Sequence, residues 1–456
     1  MRSVKRFLRW YWLLPMAVLL LAAGVLLVNA IDVPLSAEAA AMGEPRAAKV
    51  AEADNAYLAA IGMGAPDGAD SLTYARAWLA EARAAARENR PEKQAEAKRA
   101  QRPALCDAAQ TSCLAALQDK EESAAAQIAA YGEDLARYEK LLAYRAFEEI
   151  TDYPFGMESQ FPRYAPMGAA QRAWLARAAL ALHAGRVDEA LAMAERDIAF
   201  QRLMLTGSRT LVGRMVAAAN YTRALSFVAD LLQTSLADLK PHAPRLQAML
   251  QPLQPAALNL DELMAGEFGM MKRFLHDPAG KGVQADWPEK LRLLLFYKRN
   301  ATINDAHAFY SGKQQWLRKP PAQLAREIRD EVTEVEMKPW DYLYNPMGKI
   351  LTRVAMPSFS SYALRLHDLD AMNRLLGLAA EIVAADVPAE DVGNFVAKAG
   401  ARFADPYSGK PMTWDAADKR LSTSLSEAYA RDGAGGGAKY SRKRFNIESG
   451  RVFIRL

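Results

Sequence analysis

The sequence predicts a mainly α protein: one N-terminal transmembrane helix, an exported body of helical hairpins and bundles, and a small C-terminal α/β cap. Three observations carry this. Trp10 to Ile31 is a run of twenty-two residues without a charge, which as a helix extends about 33 Å, enough for a hydrocarbon core of about 30 Å. Ala-rich stretches with apolar residues three and four apart occupy most of the chain up to Ala385. Past Val387 the period shortens toward two. The expected segments are a basic N-terminus (1–9), the anchor (10–31), a membrane-proximal helical segment (32–151), a helical body (152–386) and the cap (387–456).

Arg2, Lys5, Arg6 and Arg9 precede the apolar run without an acid, whereas Asp32, Glu38 and Glu44 follow it. The positive-inside rule then keeps the N-terminus cytoplasmic and exports the rest, and Trp10, Tyr11 and Trp12 fit an interfacial aromatic belt. The expectation is a single-pass signal-anchor protein of the inner (cytoplasmic) membrane with a periplasmic body, touching the bilayer through residues 10–31. The rival is a cleaved signal peptide, since Ala37-Glu38-Ala39 has a small-x-small form. Against it, the run exceeds an ordinary h-region of about 7 to 15 residues.

The net charge of +5 suggests an anionic partner until the first nine residues are set aside. They hold four of the 58 bases and none of the 53 acids, which leaves 54 against 53. With the body balanced and no basic patch interleaved with aromatics, nucleic acid is not an expected partner. The terminal bases Lys439, Arg442, Lys443, Arg444, Arg451 and Arg455 read as a solvated strand surface, or as a contact with head groups or an acidic partner. Cys106 and Cys113 suit an oxidising compartment. On one straight helix their Cα atoms would lie about 10.5 Å apart, beyond disulfide reach. Asp107 to Ser112, with Pro103 ahead, reads instead as a bend that lets a structural disulfide close; two isolated thiols are the alternative.

Along the chain, Gly62 to Gly68 is a joint, and a helix opens at Asp70 or Ser71 with Leu72, Ala75, Trp78, Leu79 and Ala82 on its buried face. A further helix is expected over Leu114 to Glu149. Asp152 to Met167 interleaves Pro154, Pro162 and Pro166 with Tyr153, Phe155, Phe161 and Tyr164, as a covering loop or a peptide groove. Helices follow at Ser208 to Leu232, Ala256 to His276, Pro288 to Tyr310, Pro321 to Glu336 and Met347 to Ala385, the last bent near Pro357. In Pro321 to Glu336, Glu327, Asp330, Glu331, Glu334 and Glu336 alternate with Arg326 and Arg329 as surface ion pairs. Short strands are expected at Pro411 to Trp414 and Arg420 to Thr423. Arg444 to Glu448 and Arg451 to Leu456 form a hairpin about Ser449-Gly450, with Gly433 to Gly437 a loop between the pairs.

Trp174, Gly185 and Ala190, with the turn Gly185 to Leu191, resemble one unit of a tetratricopeptide repeat. Asp197 stands where that repeat has a small residue, and one unit makes no concave peptide surface. Tyr344 to Lys349, Tyr362, Arg365 to Asp370 and the turn Asp405 to Pro411 resemble the C-terminal portion of uncharacterised membrane-anchored bacterial envelope proteins. The Asp-Pro-aromatic-x-Gly-x-Pro turn is also similar to the end of type II secretion pseudopilins, although their processed N-terminus is missing. The resemblance implies an envelope protein and transfers no catalytic residue.

Nucleophile-elbow, zinc-protease, P-loop and dinucleotide motifs are absent, so no cofactor or metal is expected. His183, His242, His276, His307 and His367 are scattered. The densest polar group is Arg365, His367, Asp368, Asp370 and Arg374. His367 as general base with Asp368 or Asp370 orienting it would make a hydrolase site. Adjacent helical residues diverge by about 100°, which favours the ion pairs Arg365 with Asp368 and Asp370 with Arg374. The expected function is a membrane-tethered scaffold or interaction module of the envelope, non-enzymatic, with an envelope protein as partner; the alternative is a periplasmic hydrolase of cell-wall or peptide material.

Overall fold

Side-chain caps at Ser36, Asn55 and Asp70 start three of the helices of this chain, and Asp32 caps a fourth from a distance. A computed structural model describes residues 2–88, 90–93, 99–106, 113–114, 121–156, 159–234, 239–276, 286–327, 341, 343–355, 359–426, 446–448 and 451–456. In chain order the helices are α1 (Arg2–Val28), α2 (Ala37–Ala41), α3 (Ala56–Gly62), α4 (Ser71–Glu88), α5 (Glu121–Ala129), α6 (Gly132–Leu141), α7 (Ala165–His183), α8 (Val187–Gly207) and α9 (Leu211–Thr234). They continue as α10 (Ala243–Met249), α11 (Pro255–Leu258), α12 (Asp261–His276), α13 (Trp287–Phe296), α14 (Arg299–Leu317), α15 (Pro321–Glu327), α16 (Pro346–Ala355), α17 (Ser360–Ala384) and α18 (Val392–Lys398). A small sheet closes the chain, with strands β1 (Thr413–Asp415), β2 (Arg420–Ser424), β3 (Asn446–Glu448) and β4 (Arg451–Arg455). The chain divides into two units, the first of Met1–Glu44, Met264–Gln315 and Glu331–Ser358, the second of Pro45–Leu263, Trp316–Asp330 and Phe359–Leu456.

The expected membrane anchor is corrected here. Among the described residues no helix is long and apolar enough to cross a membrane. Helix α1 does not coincide with the apolar run: it begins at Arg2, so that Arg2, Lys5, Arg6 and Arg9 belong to it, contains Pro15, and stops at Val28, short of Ile31. Asn29 leaves the helix as a buried residue whose Nδ2 donates to Val25 O and Leu343 O, at 2.8 and 2.6 Å. The single-pass, signal-anchored inner-membrane placement goes with it.

In the first unit the segment after α1 is tied down by side chains far away in sequence. Asp32 accepts the Asn300 and Ala301 N–H groups at 2.8 and 3.1 Å, capping the N-terminus of α14. Asn345 sits at φ +52°, a left-handed conformation that Asn tolerates better than most residues. Its Oδ1 accepts Lys298 N–H at 2.8 Å, its Nδ2 donates to Thr302 Oγ1 at 2.9 Å, and its own N–H donates to Asn29 Oδ1 at 2.9 Å. Gly348 follows because a Cβ there would lie 1.9 Å from Thr302 Oγ1. The stretch Tyr344 to Lys349 is thus a packing device. A second close crossing pairs Gly43 (φ +73°) with Gly269, where a Cβ on either would fall within 2.4 Å of the other's backbone. Lys272 Nζ donates to Ala40 O and Met42 O at 2.8 and 2.9 Å and meets Glu44 at 2.6 Å, which fixes the end of α2.

In the second unit Asp70 Oδ1 accepts Thr73 N–H at 2.8 Å and starts α4, whose Ala75, Trp78, Leu79 and Ala82 are buried. The single helix expected over Leu114 to Glu149 is corrected. Residues 115–120 lie outside the described ones, α5 and α6 meet at Tyr131-Gly132, a turn at Leu142-Ala143 ends α6, and residues 146–151 are not helical. There Asn55 exchanges hydrogen bonds with the Glu148 backbone at 2.8 and 2.9 Å, and Glu149 N–H donates to Gly207 O at 3.0 Å. Those partners replace the i−4 carbonyls a helix would use. Asp152 is tied to α4 by Arg83 at 2.6 Å, and farther along the rings of Phe155 and Phe161 lie 5.0 Å apart, while Met157 and Glu158 lie outside the described residues. The hairpin α7–α8 turns at Gly185 (φ +73°), and Trp174 Nε1 donates to Met193 O across it at 2.9 Å. Helix α9 packs on α8, and α17 on both α9 and the sheet. The sheet is antiparallel in the order β1-β2-β4-β3, with Leu421 opposite Ile454 and Thr423 opposite Val452, all buried. Cys106 and Cys113 are joined, with Cα atoms 5.7 Å apart. Residues 107–112, the acids from Asp330 to Glu336 with Arg329, Gly433 to Gly437 and the bases Lys439 to Arg444 lie outside the described residues.

Candidate functional site

Helix α17 carries the polar group expected from the sequence, and the cap reaches back to it. Asp368, fully buried, accepts Tyr407 Oη–H at 2.7 Å, Ser426 N–H at 2.7 Å and Ser426 Oγ–H at 2.6 Å. Burial pushes its carboxyl up to about 6 against those donors. Tyr407 is delivered by the turn Asp405 to Pro411. Asp405 organises that turn, accepting the N–H groups of Tyr407, Ser408 and Ser424 at 2.8, 3.0 and 2.7 Å, with Gly409 at φ +65°. Burial raises the Asp405 carboxyl, and the three N–H donors outweigh it and hold the group below the ordinary value. The separated stretches Arg365 to Asp370 and Asp405 to Pro411 therefore meet at one carboxylate.

The other members turn elsewhere. Asp370, also buried, accepts Leu253 N–H at 2.8 Å and Arg374 Nε–H at 2.6 Å. Arg374 goes on to Arg402 O at 3.2 Å. Arg365 lies over the Tyr362 ring at 5.3 Å and acts on Asp368 through its charge. His367 is half-buried; burial pulls its imidazole down to about 4, Asp370 opposing and Arg374 adding to the shift, so it is neutral at pH 7. Among the described residues no carboxylate is hydrogen-bonded to it. A general base needs an orienting partner on its second nitrogen, and both neighbouring acids are occupied by the fold. The Asp370–Arg374 pair forms as expected at i, i+4.

Sequence reasoning missed two further polar groups. Asn373 Nδ2 donates to Gln251 O at 2.7 Å, while its Oδ1 accepts Tyr221 Oη–H at 2.6 Å and Arg202 Nη2–H at 3.2 Å. Asp197 explains its own departure from the repeat pattern. Wholly buried, it accepts from Tyr138 Oη–H, from Gln171 Nε2–H at 2.8 Å and from Gln201 Nε2–H at 3.1 Å. Arg223 donates to Gln171 Oε1 at 2.6 Å behind it. Burial raises the Asp197 carboxyl, opposed by these donors. The signal in the sequence was Asp197 with Gln201 one turn on, two polar residues on a helix face otherwise made of apolar ones. Among the described residues no three His, Cys, Asp or Glu side chains converge as a metal group would require. His183 faces Glu121 at 3.6 Å and His242 faces Asp188 at 3.3 Å, both near the surface.

The exposed apolar side chains are distributed very unevenly. Every large one described, except Val212, belongs to the first unit, from Leu13, Met16, Val18 to Leu21 and Leu26 to Val28 on α1 to Trp287 and Leu294 on α13 and Val354 on α16. Compared with known proteins, the chain matches no family model, no curated protein and no solved structure.

Proposed function

We propose that this protein is a scaffold or interaction module that holds a protein partner and carries no catalytic chemistry of its own. The observation behind this reading is the segregation of exposed apolar side chains into the first unit. A folded chain seldom leaves so many large apolar residues together in water unless another surface covers them. The polar cluster on α17 supports the same reading, because Asp368, Asp370 and Asp405 each spend their oxygens on the chain's own donors. The test is photo-cross-linking in cells from probes at Leu20 and Leu27, with a probe at exposed Ala416 of the second unit as control. A discrete adduct with one other protein, formed from α1 and not from Ala416, is the expected result. Recovery of the chain alone from every position would refute the module. Loss of a measurable hydrolysis on His367→Ala, with the fold intact, would replace it by the enzyme.

A further inference from the structure

Two buried carboxylates, Asp405 in the turn and Asp368 on α17, hold the chain at the end of β2, and their partners differ in kind. Each oxygen of Asp405 faces a backbone N–H: Tyr407 and Ser408 on Oδ1 at 2.8 and 3.0 Å, Ser424 on Oδ2 at 2.7 Å. An N–H only donates, so these partners fit the ionised acid. Asp368 is different. Its Oδ1 accepts Tyr407 Oη–H and Ser426 N–H, both at 2.7 Å, but the partner of its Oδ2, at 2.6 Å, is the Ser426 hydroxyl. A hydroxyl accepts as readily as it donates. A proton placed on Oδ2 therefore turns one bond round and breaks none. Burial raises both carboxyls, and the donors prevail over it at Asp405 and not at Asp368.

Few charges reach Asp368 from the elements packed on α17. Arg365 on its own helix acts on it through its charge, and Tyr407 brings Asp405 near. The inward residues of β2 and β4 are Leu421, Thr423, Val452 and Ile454, all uncharged, while Arg420, Arg451 and Arg455 stand on rows of the opposite face. On the far side of α17, Tyr221 of α9 and Gln251 O meet Asn373, and Leu253 N–H meets Asp370. Those two positions lie about 140–200° around the helix from Asp368. Arg374 is paired with Asp370 at 2.6 Å, Arg402 with Glu381 at 3.3 Å and Glu327 of α15 with Lys319 at 2.7 Å. Asp391 and Lys398, at the ends of α18, are exposed. His367 diverges from Asp368 by about 100°. Its imidazole, pulled down to about 4 by burial, responds to pH with the opposite sign.

We infer that Asp368 is a proton-operated latch between α17 and the cap, closed when its Oδ2 carries a proton and opening more often when it does not. In the protonated form Oδ2–H donates to Ser426 Oγ, while Oδ1 keeps Tyr407 Oη–H and Ser426 N–H. The strand end from Ser424 to Ser426 and the turn Asp405 to Pro411 then stay closed on α17. In the ionised form the same contacts enclose a buried negative charge, and opening returns that charge to water. The latch therefore tightens as pH falls and loosens as it rises. This goes beyond the partner role given to α1 and stands or falls separately from it.

Hydrogen exchange of the full chain, each rate divided by the intrinsic rate at its own pH, reads the opening directly. His367→Gln is the reference, because it removes the opposing imidazole. Opening lets Asp368 return from about 6 to the ordinary 3.8, so protection of the Ser424 and Ser426 amides should be about 25-fold higher at about pH 4.5 than at about pH 7.5. Amides of α4 are the control and should not change. Asparagine at 368 imitates the protonated acid, its Nδ2 donating to Ser426 Oγ. His367→Gln with Asp368→Asn should therefore keep the high protection at both pH values. Level protection in His367→Gln, or the same rise in the double variant, would overturn the latch. So would a double variant protected no better than the reference at about pH 7.5, since the contacts would then need the charge. Should Asp368→Asn misfold, His367→Gln with Tyr407→Phe replaces it. Loss of a donor to the carboxylate should move the midpoint of the rise to higher pH, and an unmoved midpoint would deny that Asp368 is the group that titrates.

Discussion

Replacing Asn345 separates two costs that meet at one residue. In Asn345→Gly the left-handed backbone at φ +52° is retained without strain, and only the side-chain bonds go. Lys298 N–H, buried and held by Asn345 Oδ1 at 2.8 Å, then has no acceptor, which costs about 1–3 kcal/mol. Thr302 loses less, because its hydroxyl also donates to Lys298 O at 2.7 Å. In Asn345→Ala the same bonds are lost and a Cβ is forced into the left-handed region, adding about 1–2 kcal/mol. The order of stability should therefore be wild type, then Gly, then Ala. Because the chain has two units, global melting need not be two-state. Hydrogen exchange of the Lys298 to Ala301 amides, followed by mass spectrometry alongside the melt, reports the affected region directly. Exchange no faster in Asn345→Gly than in wild type, or Ala no worse than Gly, would refute the reasoning.

Three further outcomes follow from contacts elsewhere in the chain. Asp368 has a folded-state value raised to about 6 from 3.8, so wild type loses about 3 kcal/mol as pH rises from about 4 through 6, where the fold must hold a buried charge. Asp368→Asn has no such titration, so its melting temperature relative to wild type should climb over that window and level off above pH 7; a flat difference would contradict it. Gly269→Ala should lower the melting temperature sharply, by the equivalent of about 3 kcal/mol or more, since its Cβ meets the Gly43 backbone at 2.3 Å. Gly312→Ala, on α14 with open space around it, should raise stability by about 0.5–1 kcal/mol; equal effects at the two sites would deny that the crossing is tight. Reducing Cys106–Cys113 should cost about 2.5 kcal/mol on the loop-entropy scale, read as a melting shift with and without reductant.

What the sequence made legible is what local chemistry decides. Asp70 marks the start of α4, Gly185 the turn of the α7–α8 hairpin, and alternation after Val387 the strands of the sheet. The polar cluster on α17 was visible as a cluster, and helical geometry alone foretold that His367 and Asp368 would diverge. What stayed hidden depends on partners remote in the chain. The stretch from Ala146 to Glu149 continues a helical composition, yet Asn55 and Gly207 bond to its backbone at Glu148 and Glu149 and hold it out of the helix. The apolar run from Trp10 to Ile31 carries no charge to mark an end, but the helix stops at Val28, where the Asn29 side chain reaches Leu343 O. The role of Asp197 depends on Tyr138, Gln171 and Gln201, which lie on three different helices.

The cap that Asp32 places on α14 has a consequence for the order of events at the ribosome. Asn29 and Asp32 find their partners at Asn345 and at Asn300 and Ala301, sequence separations of 316, 268 and 269 residues. At about 5–20 residues per second, a nascent chain waits on the order of 15–60 s between making Asn29 and making Asn345. Once α1 has left the tunnel, its leucines wait while the later segments of their unit, Met264–Gln315 and then Glu331–Ser358, are still being made. The segment from Asp32 to Glu44 is therefore a clock for assembly. Chains stalled before Arg299 should be cut there by protease, and chains stalled well beyond Lys349 should be protected.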